Sequence, residues 1–431
     1  MRSFAFARGC LAVTILALPR LASAQTPDLA AIQQQIDQLK QQLQALQDQL
    51  SKVTSQPPAE PPAAAPPAQA AQAAAEPTAT VPPGAEGAGG PSGSLPVYGA
   101  GAASSKVFNP DMAVIGDFLG AAGHNTVNPS PAMQMHESEA SFQAVVDPYA
   151  RADFFISFGE EGVDLEEGFV TFPALPGGLL VRAGKMRAAF GKVNTLHNHV
   201  IPWADRPVVT ANLLNGEDGI DDAGFSVARL IPNPWIFLEA TGQVFRGDSG
   251  ELFTSSKPGD LSYVGHLRGY HDINENTNID LGASYARGHN ASGVVDGTDI
   301  GRFITQLGGF DATMRWRPLQ RSIYHSFVGR SEVVWSRRQQ PQGEQDSTGF
   351  YLSGDYQFAR RWFTGARYDR SDRADTSALD SGQSLTLTYW PSEFSQIRGQ
   401  YRRTRYAQTE TANEFLFQFQ FSIGAHGAHP F

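Results

Sequence analysis

The sequence contains a single cysteine, Cys10, in 431 residues. An intrachain disulfide and a cysteine-based metal site are therefore excluded. Charged residues are also sparse, at 18% of the chain, against roughly 25% in average soluble domains. The 43 acidic residues outnumber the 33 basic ones. Because nucleic-acid binding needs a basic surface, we expect no nucleic-acid partner.

Long hydrophobic runs are missing as well. Beyond residue 24, no segment reaches the roughly 18 consecutive apolar residues of a membrane-spanning helix. This excludes a helical membrane protein but not a membrane β-barrel, whose alternating strands escape hydropathy analysis. The hydrolase pattern Gly-x-Ser-x-Gly is also absent. We therefore expect neither catalysis nor a cofactor.

Residues 1–24 have the features of a secretory signal peptide. Arg2 and Arg8 precede an apolar stretch at 11–18, and Ala22-Ser23-Ala24 has the small-residue pattern of a cleavage site. The alternative is a lipoprotein, with Cys10 as the lipid acceptor. We disfavour it because Cys10 comes too early and lacks a preceding apolar run. The mature chain is then secreted and free of cysteine.

Residues 25–53 predict a short α-helical coiled coil. Apolar residues recur at alternating steps of three and four: Leu29, Ile32, Ile36, Leu39, Leu43, Leu46, Leu50 and Val53. This is the heptad spacing of a coiled coil, and its mixture of Leu and Ile favours trimers over dimers. The alternative is a single amphipathic helix packed on its own domain. We disfavour it because residues 54–95, rich in Pro, Ala and Gly, form a linker that cannot bury a core.

From residue 96 to 431 the apolar residues alternate with polar ones. The clearest case is Phe415, Phe417, Phe419, Phe421 and Ile423, which oppose Gln418, Gln420 and Ser422. Aromatic residues on one face and amides on the other fit a strand with lipid outside and water inside. We count roughly sixteen such segments, near 112–123, 137–146, 148–158, 163–172, 178–186, 221–230, 234–246, 260–271, 276–288, 301–316, 322–338, 347–357, 361–371, 382–391, 394–407 and 412–423. The fold class is therefore all-β, a transmembrane antiparallel β-barrel.

The connections between these segments alternate in length. Short turn-like connections occur near 147–148, 174–177, 231–233 and 391–393. Longer polar connections occupy 124–136, 187–220, 247–259, 289–300, 339–346 and 372–381, with one short exception near 160–162. Short turns at one end and long loops at the other are typical of bacterial outer-membrane barrels. An even strand number places both termini, and with them the coiled coil, at the short-turn, periplasmic side.

The layout resembles the trimeric outer-membrane porins, and most closely the phosphate-selective porin O/P group. The resemblance rests on residues 180–186 and 190–194, where Gly184-Lys185 at a strand end is followed by Phe190-Gly191 and Asn194. Phe431 after an aromatic strand resembles the signal read by the barrel-assembly machinery. The resemblance implies a homotrimer in the outer membrane of a Gram-negative bacterium, in contact with lipid and lipopolysaccharide. It also implies that the third external connection, 187–220, folds into the pore.

A porin selects solutes by the width and the charge of its constriction. The 187–220 connection offers charged candidates of both signs, and inward-alternating arginines on later strands suggest a basic wall: Arg187, Lys192, His197, His199, Asp205, Arg206, Glu217, Asp218, Arg315, Arg317, Arg398 and Arg402. We therefore expect passive diffusion of small hydrophilic solutes with a weak preference for anions. The alternative for each charge is a solvated surface position.

Two histidine pairs and one acidic segment match metal-binding patterns only in part. His197 with His199, and His426 with His429, have spacings compatible with zinc but not specific for it, so no metal site is expected. Asp272-Ile273-Asn274-Glu275-Asn276 lacks the later residues of a calcium loop and predicts a turn. Two further functions stay open: a structural tether that reaches the cell wall through the coiled coil, and a specific receptor or enzyme on a barrel scaffold.

Overall fold

The structure is a computed structural model that describes residues 110–424 except 161, 256, 296, 297, 300 and 408. The predicted signal peptide, coiled coil and linker lie outside the described residues. So do the first residues of the predicted barrel domain, His426, His429 and the assembly signal Phe431.

Sixteen strands among the described residues close into one antiparallel barrel, as the alternation predicts. Their bounds are β1 Asp111–His124, β2 Met133–Asp147, β3 Ala150–Gly159, β4 Gly162–Leu175, β5 Leu179–Arg187, β6 Asp221–Leu230, β7 Phe237–Phe245, β8 Ser262–Asn274, β9 Thr277–His289, β12 Ile304–Trp316, β13 Ser326–Gln340, β14 Gly343–Ala359, β15 Trp362–Asp372, β16 Leu379–Ser392, β17 Ser395–Tyr406 and β18 Glu410–Gly424. Two shorter strands, β10 (Val294–Val295) and β11 (Thr298–Asp299), form a separate hairpin. One α-helix, α1 (Val208–Leu213), lies in the connection between β5 and β6.

The barrel closes where its first strand pairs with its last. Ala113 of β1 stands opposite Gly424 of β18, and the register continues to the pair His124 and Asn413. Every barrel strand pairs with its neighbours in sequence, once the β10–β11 hairpin is set aside. The two ends of the described chain therefore meet at the end of the barrel that carries the short turns. Closure leaves no unpaired strand edge, which is a requirement for a sheet in lipid.

Side-chain alternation sends apolar residues outward and polar residues inward. On β18, Phe415 is 52% and Ile423 64% exposed, whereas Gln418 and Gln420 are 1% and 3% exposed. Successive side chains of a strand point to opposite faces, so the aromatic residues form the outer surface and the amides the interior. This is the reverse of a water-soluble barrel and suits a hydrocarbon environment outside.

Aromatic side chains gather at the short-turn end of the barrel. Trp316 ends β12 and Trp362 begins β15. The ring of Trp362 stacks on Tyr389 of the adjacent strand, with 4.5 Å between centroids. Such a girdle is typical of the boundary between the hydrocarbon and the headgroups. Within the described residues, no helix has the length and hydropathy needed to cross a bilayer.

The predicted strand positions are confirmed, and β6 occupies the predicted range 221–230. The short connection near 160–162 and the turn after Asp272 are also confirmed, since β8 and β9 continue to Asn274 and from Thr277. The prediction of a long loop at 339–346 is wrong. Strands β13 and β14 extend through this range and pair as far as Gln340 and Gly343, because backbone hydrogen bonds between strands form equally well when the side chains are polar.

Candidate functional site

Residues 188–220, here called the inner loop, fold into the barrel and touch strands on every side of its wall. Near its start, Gly191 N donates to Ser284 Oγ of β9 over 2.9 Å. Further along, Asn198 Nδ2 donates to Glu137 of β2 over 3.0 Å, and Ala204 N donates to Gln400 of β17 over 2.8 Å. The chain then returns to β6. A segment with contacts this widely spaced lies across the lumen rather than above it.

Asn194 holds the two ends of the inner loop together. Its amide nitrogen donates to Ala188 O at 2.9 Å and Ile220 O at 3.1 Å, and its amide oxygen accepts from Ile220 N at 2.7 Å. The side chain is fully buried. Gly191 adopts φ +60° beside the Glu332 carboxylate, where any added Cβ would collide. Both residues belong to the sequence pattern on which the porin resemblance rests.

The inner loop carries its own apolar core, although the sequence predicts a polar connection. Buried loop residues pack against inward-facing apolar residues of the wall, in a cluster that includes Phe190, Val193, Trp203, Val209, Leu213, Leu307, Val334 and Tyr351. Trp203 meets Tyr351 of β14 edge to face, with 5.3 Å between ring centroids. Burial of this kind stabilises by roughly 1.5–3 kcal/mol for each large side chain. The inner loop is therefore a packed element, and not a solvated one.

Four carboxylates, here called the acidic wall, face the inner loop from β2 and β4: Glu137, Glu139, Glu166 and Glu167. Glu166 and Glu167 are adjacent, yet both reach the interior, because a β-bulge in β4 leaves Glu166 without a partner opposite it in β3. A second bulge, in β2, turns His136 inward, where its Nε2 lies 3.2 Å from Glu217.

Two histidines of the inner loop meet the acidic wall. His197 Nδ1 lies 2.5 Å from Glu139 Oε2, and His197 Nε2 lies 2.8 Å from Glu167 Oε2. Burial alone would lower the pKa of His197, but attraction to Glu139 and hydrogen bonds to Glu139 and Glu167 raise it well above its ordinary value. Burial likewise opposes the charge of His199, and Glu139 and Glu137 raise its pKa.

Three arginines on β15 and β17, here called the basic wall, hold a later part of the inner loop: Arg367, Arg398 and Arg402. Asp205 Oδ2 accepts from Arg367 at 2.9 Å and from Arg402 at 3.0 Å. Although burial opposes its ionisation, these two guanidiniums lower the pKa of Asp205 to about 2. Arg398 donates to Ile201 O and Trp203 O at 3.1 and 2.8 Å.

The inner loop is therefore attached by charges of opposite sign at two sides of the lumen. Its imidazoles face the carboxylates of β2 and β4, and its carboxylate Asp205 faces the guanidiniums of β15 and β17. Strands β1 and β18 lie between these two groups on one side. A wall divided in this way sets up an electric field across the lumen.

The structure brings most of the predicted charged residues to the interior. Arg187 donates to the carbonyls of Glu217 and Asp218, and its Nη2 lies 3.6 Å from Glu166. Lys192 pairs with Asp280 of β9 at 3.2 Å. Arg206 stabilises the inner loop by donating hydrogen bonds to Val193 O and Leu196 O at 3.1 and 2.7 Å. Burial first, and then repulsion from Arg187, lower the pKa of Arg206 to about 10.

Some predicted residues lie elsewhere. Arg315 follows the inward-facing Thr313 on β12, but the placement of Arg317 on the same inner wall is wrong. The strand ends at Trp316, and Arg317 is exposed in the next connection, where its Nε donates to Ser322 O. The side chains of Glu217 and Asp218 are exposed, in contrast to the buried histidines.

Sequence reasoning missed the acidic wall and Arg367. Their strands were predicted, but adjacent glutamates in a strand normally point to opposite faces, so the bulge that brings both inward leaves no pattern in the sequence. Arg367 sits 1% exposed between Asp205 and Asp369. The alternation of β15 places Arg367 on the inner face, and this signal was available in the sequence.

Comparison with solved structures finds porin-type barrels. The anion-selective porin from Comamonas acidovorans matches with a TM-score of 0.52 at 10% identity, over 73% of this chain and 99% of that one. The channel DcaP of Acinetobacter baumannii matches with a TM-score of 0.48 at 9% identity, over 73% of this chain and 96% of that one. The match to the Comamonas acidovorans porin supports the barrel fold alone, because its identity is only 10%.

Among sequences, the chain is 29% identical over 388 residues to an uncharacterised protein of Aquifex aeolicus (strain VF5). The match covers 76% of this chain and 81% of that protein. No protein-family model matches the sequence.

Proposed function

We propose that the chain is an outer-membrane porin through which small hydrophilic solutes diffuse passively. The observation that carries the proposal is the closed barrel with an apolar exterior and a polar interior, crossed by a loop that is bonded to the wall at both sides. A barrel of sixteen strands is wide enough for an aqueous channel unless something fills it. The inner loop then sets the width of the passage.

Selection follows from the charges beside the passage. Most interior charges of the inner loop are paired, as in Lys192 with Asp280 and Asp205 with Arg367. Two arginines of the barrel wall, Arg182 on β5 and Arg315 on β12, differ from these paired charges. Neither forms an ion pair within the described part of the chain. Arg182 Nε and Arg315 Nη2 are buried without a hydrogen-bond partner. Guanidiniums of this kind attract anions, so we propose a weak anion preference despite the acidic composition.

The test is single-channel recording of the full mature chain in planar bilayers, with reversal potentials measured in a potassium chloride gradient. Arg315→Gln removes an inward charge, and we expect it to shift the reversal potential toward cations. Arg317→Gln is the matched control, since it removes an exposed charge two residues away. An absence of conductance would refute the channel. Equal shifts in both variants would refute the role of Arg315.

The finer parts of the proposal rest on the sequence. We assign the protein to the phosphate-selective porin O/P group, to the outer membrane of a Gram-negative bacterium, and to a homotrimer assembled by the machinery that reads Phe431. The outward aromatic surface supports contact with lipid and lipopolysaccharide. Membrane fractionation and native mass spectrometry test these assignments, and a monomer in mild detergent would contradict the trimer.

A tether is the second candidate function, favoured by the heptads of residues 25–53 and the linker of residues 54–95. A specific receptor or barrel enzyme is the third, favoured by the extent to which the inner loop packs within the lumen. Liposome swelling separates these from a general porin. Swelling in small sugars supports diffusion, whereas liposomes that stay unswollen with a folded barrel support a receptor or an enzyme.

A further inference from the structure

The contact between the inner loop and the acidic wall has the composition of a transition-metal site. One ligand atom from each of Glu139, His197 and His199 lies within 4.8 Å of the other two, and Glu137, Glu139 and Glu166 form a second such group. All five side chains are buried. Two imidazoles with carboxylates are the donor set that zinc and similar divalent ions prefer.

The distances between these donors suit a tetrahedral ion. An ion about 2.0–2.2 Å from each ligand holds its ligands roughly 3.4 Å apart. Glu139 Oε2 lies 3.6 Å from His199 Nδ1, and His197 Nδ1 lies 3.4 Å from Glu166 Oε2. Both separations are longer than an ordinary hydrogen bond and match the distance between two ligand atoms of a tetrahedral metal ion. The His197–Glu139 contact at 2.5 Å is shorter and would open by about 1 Å when an ion replaces the shared proton.

Unsatisfied oxygens point to a ligand independently of this composition. Glu139 is 1% exposed, and its Oε1 has no hydrogen-bond partner. Glu137 Oε1 and Glu166 Oε2 are also buried without one. Leaving a buried carboxylate oxygen unbonded is costly. A cation among these oxygens removes that cost and neutralises part of the charge that four carboxylates concentrate on one wall.

The surroundings of His197 complete the arrangement. Glu167 accepts from His197 Nε2 at 2.8 Å, which leaves Nδ1 free to face Glu139 and Glu166. A carboxylate that holds the outer nitrogen of a metal-bound histidine is the usual support for a zinc ligand. The ring of Phe155 packs edge to face on His197, with 5.1 Å between centroids, and limits access of water from that side.

We propose that Glu139, His197 and His199 bind a divalent transition-metal ion of the zinc class, with Glu137 or Glu166 as fourth ligand. The ion links the inner loop to β2, and so fixes the loop within the barrel. This site does not depend on whether the chain conducts solutes.

The test is zinc binding by the full mature chain, purified in detergent and stripped with a chelator. We expect one high-affinity Zn²⁺ per chain in competition with a chromophoric chelator. Glu139→Gln and His199→Ala should weaken binding by more than the roughly 10- to 100-fold expected for loss of an outer-shell partner. Glu167→Gln should fall within that 10- to 100-fold range, because Glu167 contacts the proposed ligands only through His197 Nε2.

Two matched controls carry the same chemical changes elsewhere on the inner wall, and a third lies outside the described residues. Glu332→Gln removes a buried carboxylate of β13, and His266→Ala removes an inward histidine of β8. His426→Ala with His429→Ala removes the other candidate pair. All should bind zinc as the unaltered chain does. A heat-dependent shift in gel mobility verifies that each barrel is folded.

Two results would overturn the proposal. One is a stripped, folded chain that takes up no zinc, which would leave the histidines as cations in ion pairs. The other is a zinc affinity that is unchanged in the folded Glu139→Gln and His199→Ala variants, or that is lost when His426 and His429 are replaced by alanine. Co²⁺ absorption gives a second readout, because a site with imidazole ligands produces a tetrahedral visible spectrum that the His199→Ala variant should alter.

Discussion

Asp205 is the residue through which the attachment of the inner loop can be measured most directly. Its carboxylate accepts hydrogen bonds from Arg367 and Arg402 of the basic wall and from the amide of Gln400. The substitution Asp205→Asn keeps the size and one acceptor but removes the charge. Arg367 retains Asp369, and Arg402 retains Glu414, so neither guanidinium is left without a partner.

The size of the effect follows from the pKa of Asp205. The two arginines hold this pKa near about 2, against an ordinary value of 3.8. A difference of about two pKa units corresponds to about 2–3 kcal/mol of stabilisation by the charged form. A depressed pKa contributes stability above the unfolded value, and the contribution is lost as pH falls through the folded one. At neutral pH, Asp205→Asn should therefore raise the population of detached loop roughly 30- to 100-fold.

The assay is single-channel recording in planar bilayers across pH. At pH 7 the variant should show more frequent transitions to higher conductance than the unaltered chain. The difference between the two should be full above about pH 4, shrink as pH falls below that value, and be nearly gone as pH approaches 2, where Asp205 itself takes up a proton. Asp218→Asn is the control, because this loop carboxylate is exposed.

Two outcomes would refute the reasoning. Identical recordings from a folded Asp205→Asn barrel at pH 7 would mean that the ion pairs do not hold the loop. A difference that stays unchanged down to pH 2 would mean that the charge of Asp205 is not what separates the two chains.

Three further predictions concern Asn194 in the inner loop, the outward face of β18 and residues 25–95. Asn194→Ala removes three buried hydrogen bonds that join the two ends of the inner loop. At about 1 kcal/mol each, we expect the free energy of unfolding in denaturant to fall by about 3 kcal/mol. An unchanged unfolding midpoint would contradict this role of Asn194. Phe417→Lys places a charge on the outward face of β18 and should cost about 2–4 kcal/mol in lipid, whereas Tyr149→Lys in a short turn should cost about 0–1; equal costs would argue against a bilayer around the barrel. Deletion of residues 25–95 should leave conductance intact if the barrel is the channel, and a loss of envelope integrity in cells that carry this deletion would favour the tether.

Alternation alone was enough to predict the barrel. A strand with lipid on one side and a polar interior on the other must change polarity at every residue, so Phe415 to Ile423 identifies both the strand and its faces. The same rule predicted that Arg398 and Arg402 face inward, and in the structure their guanidiniums donate to Trp203 O and Asp205 of the inner loop. It failed at Arg317, because alternation does not say where a strand stops.

The site inside the barrel depended on tertiary structure. Glu139 and His197 are 58 residues apart, and no local pattern relates them; closure of the barrel and the path of the inner loop bring them together. The bulge that turns both Glu166 and Glu167 inward breaks the alternation from which the fold was predicted. Residue type along the chain therefore determined which surface of the barrel is apolar, since that depends on each strand separately. The neighbours of each charge in the lumen depend on strands joined around a closed ring, and only the folded chain specifies them.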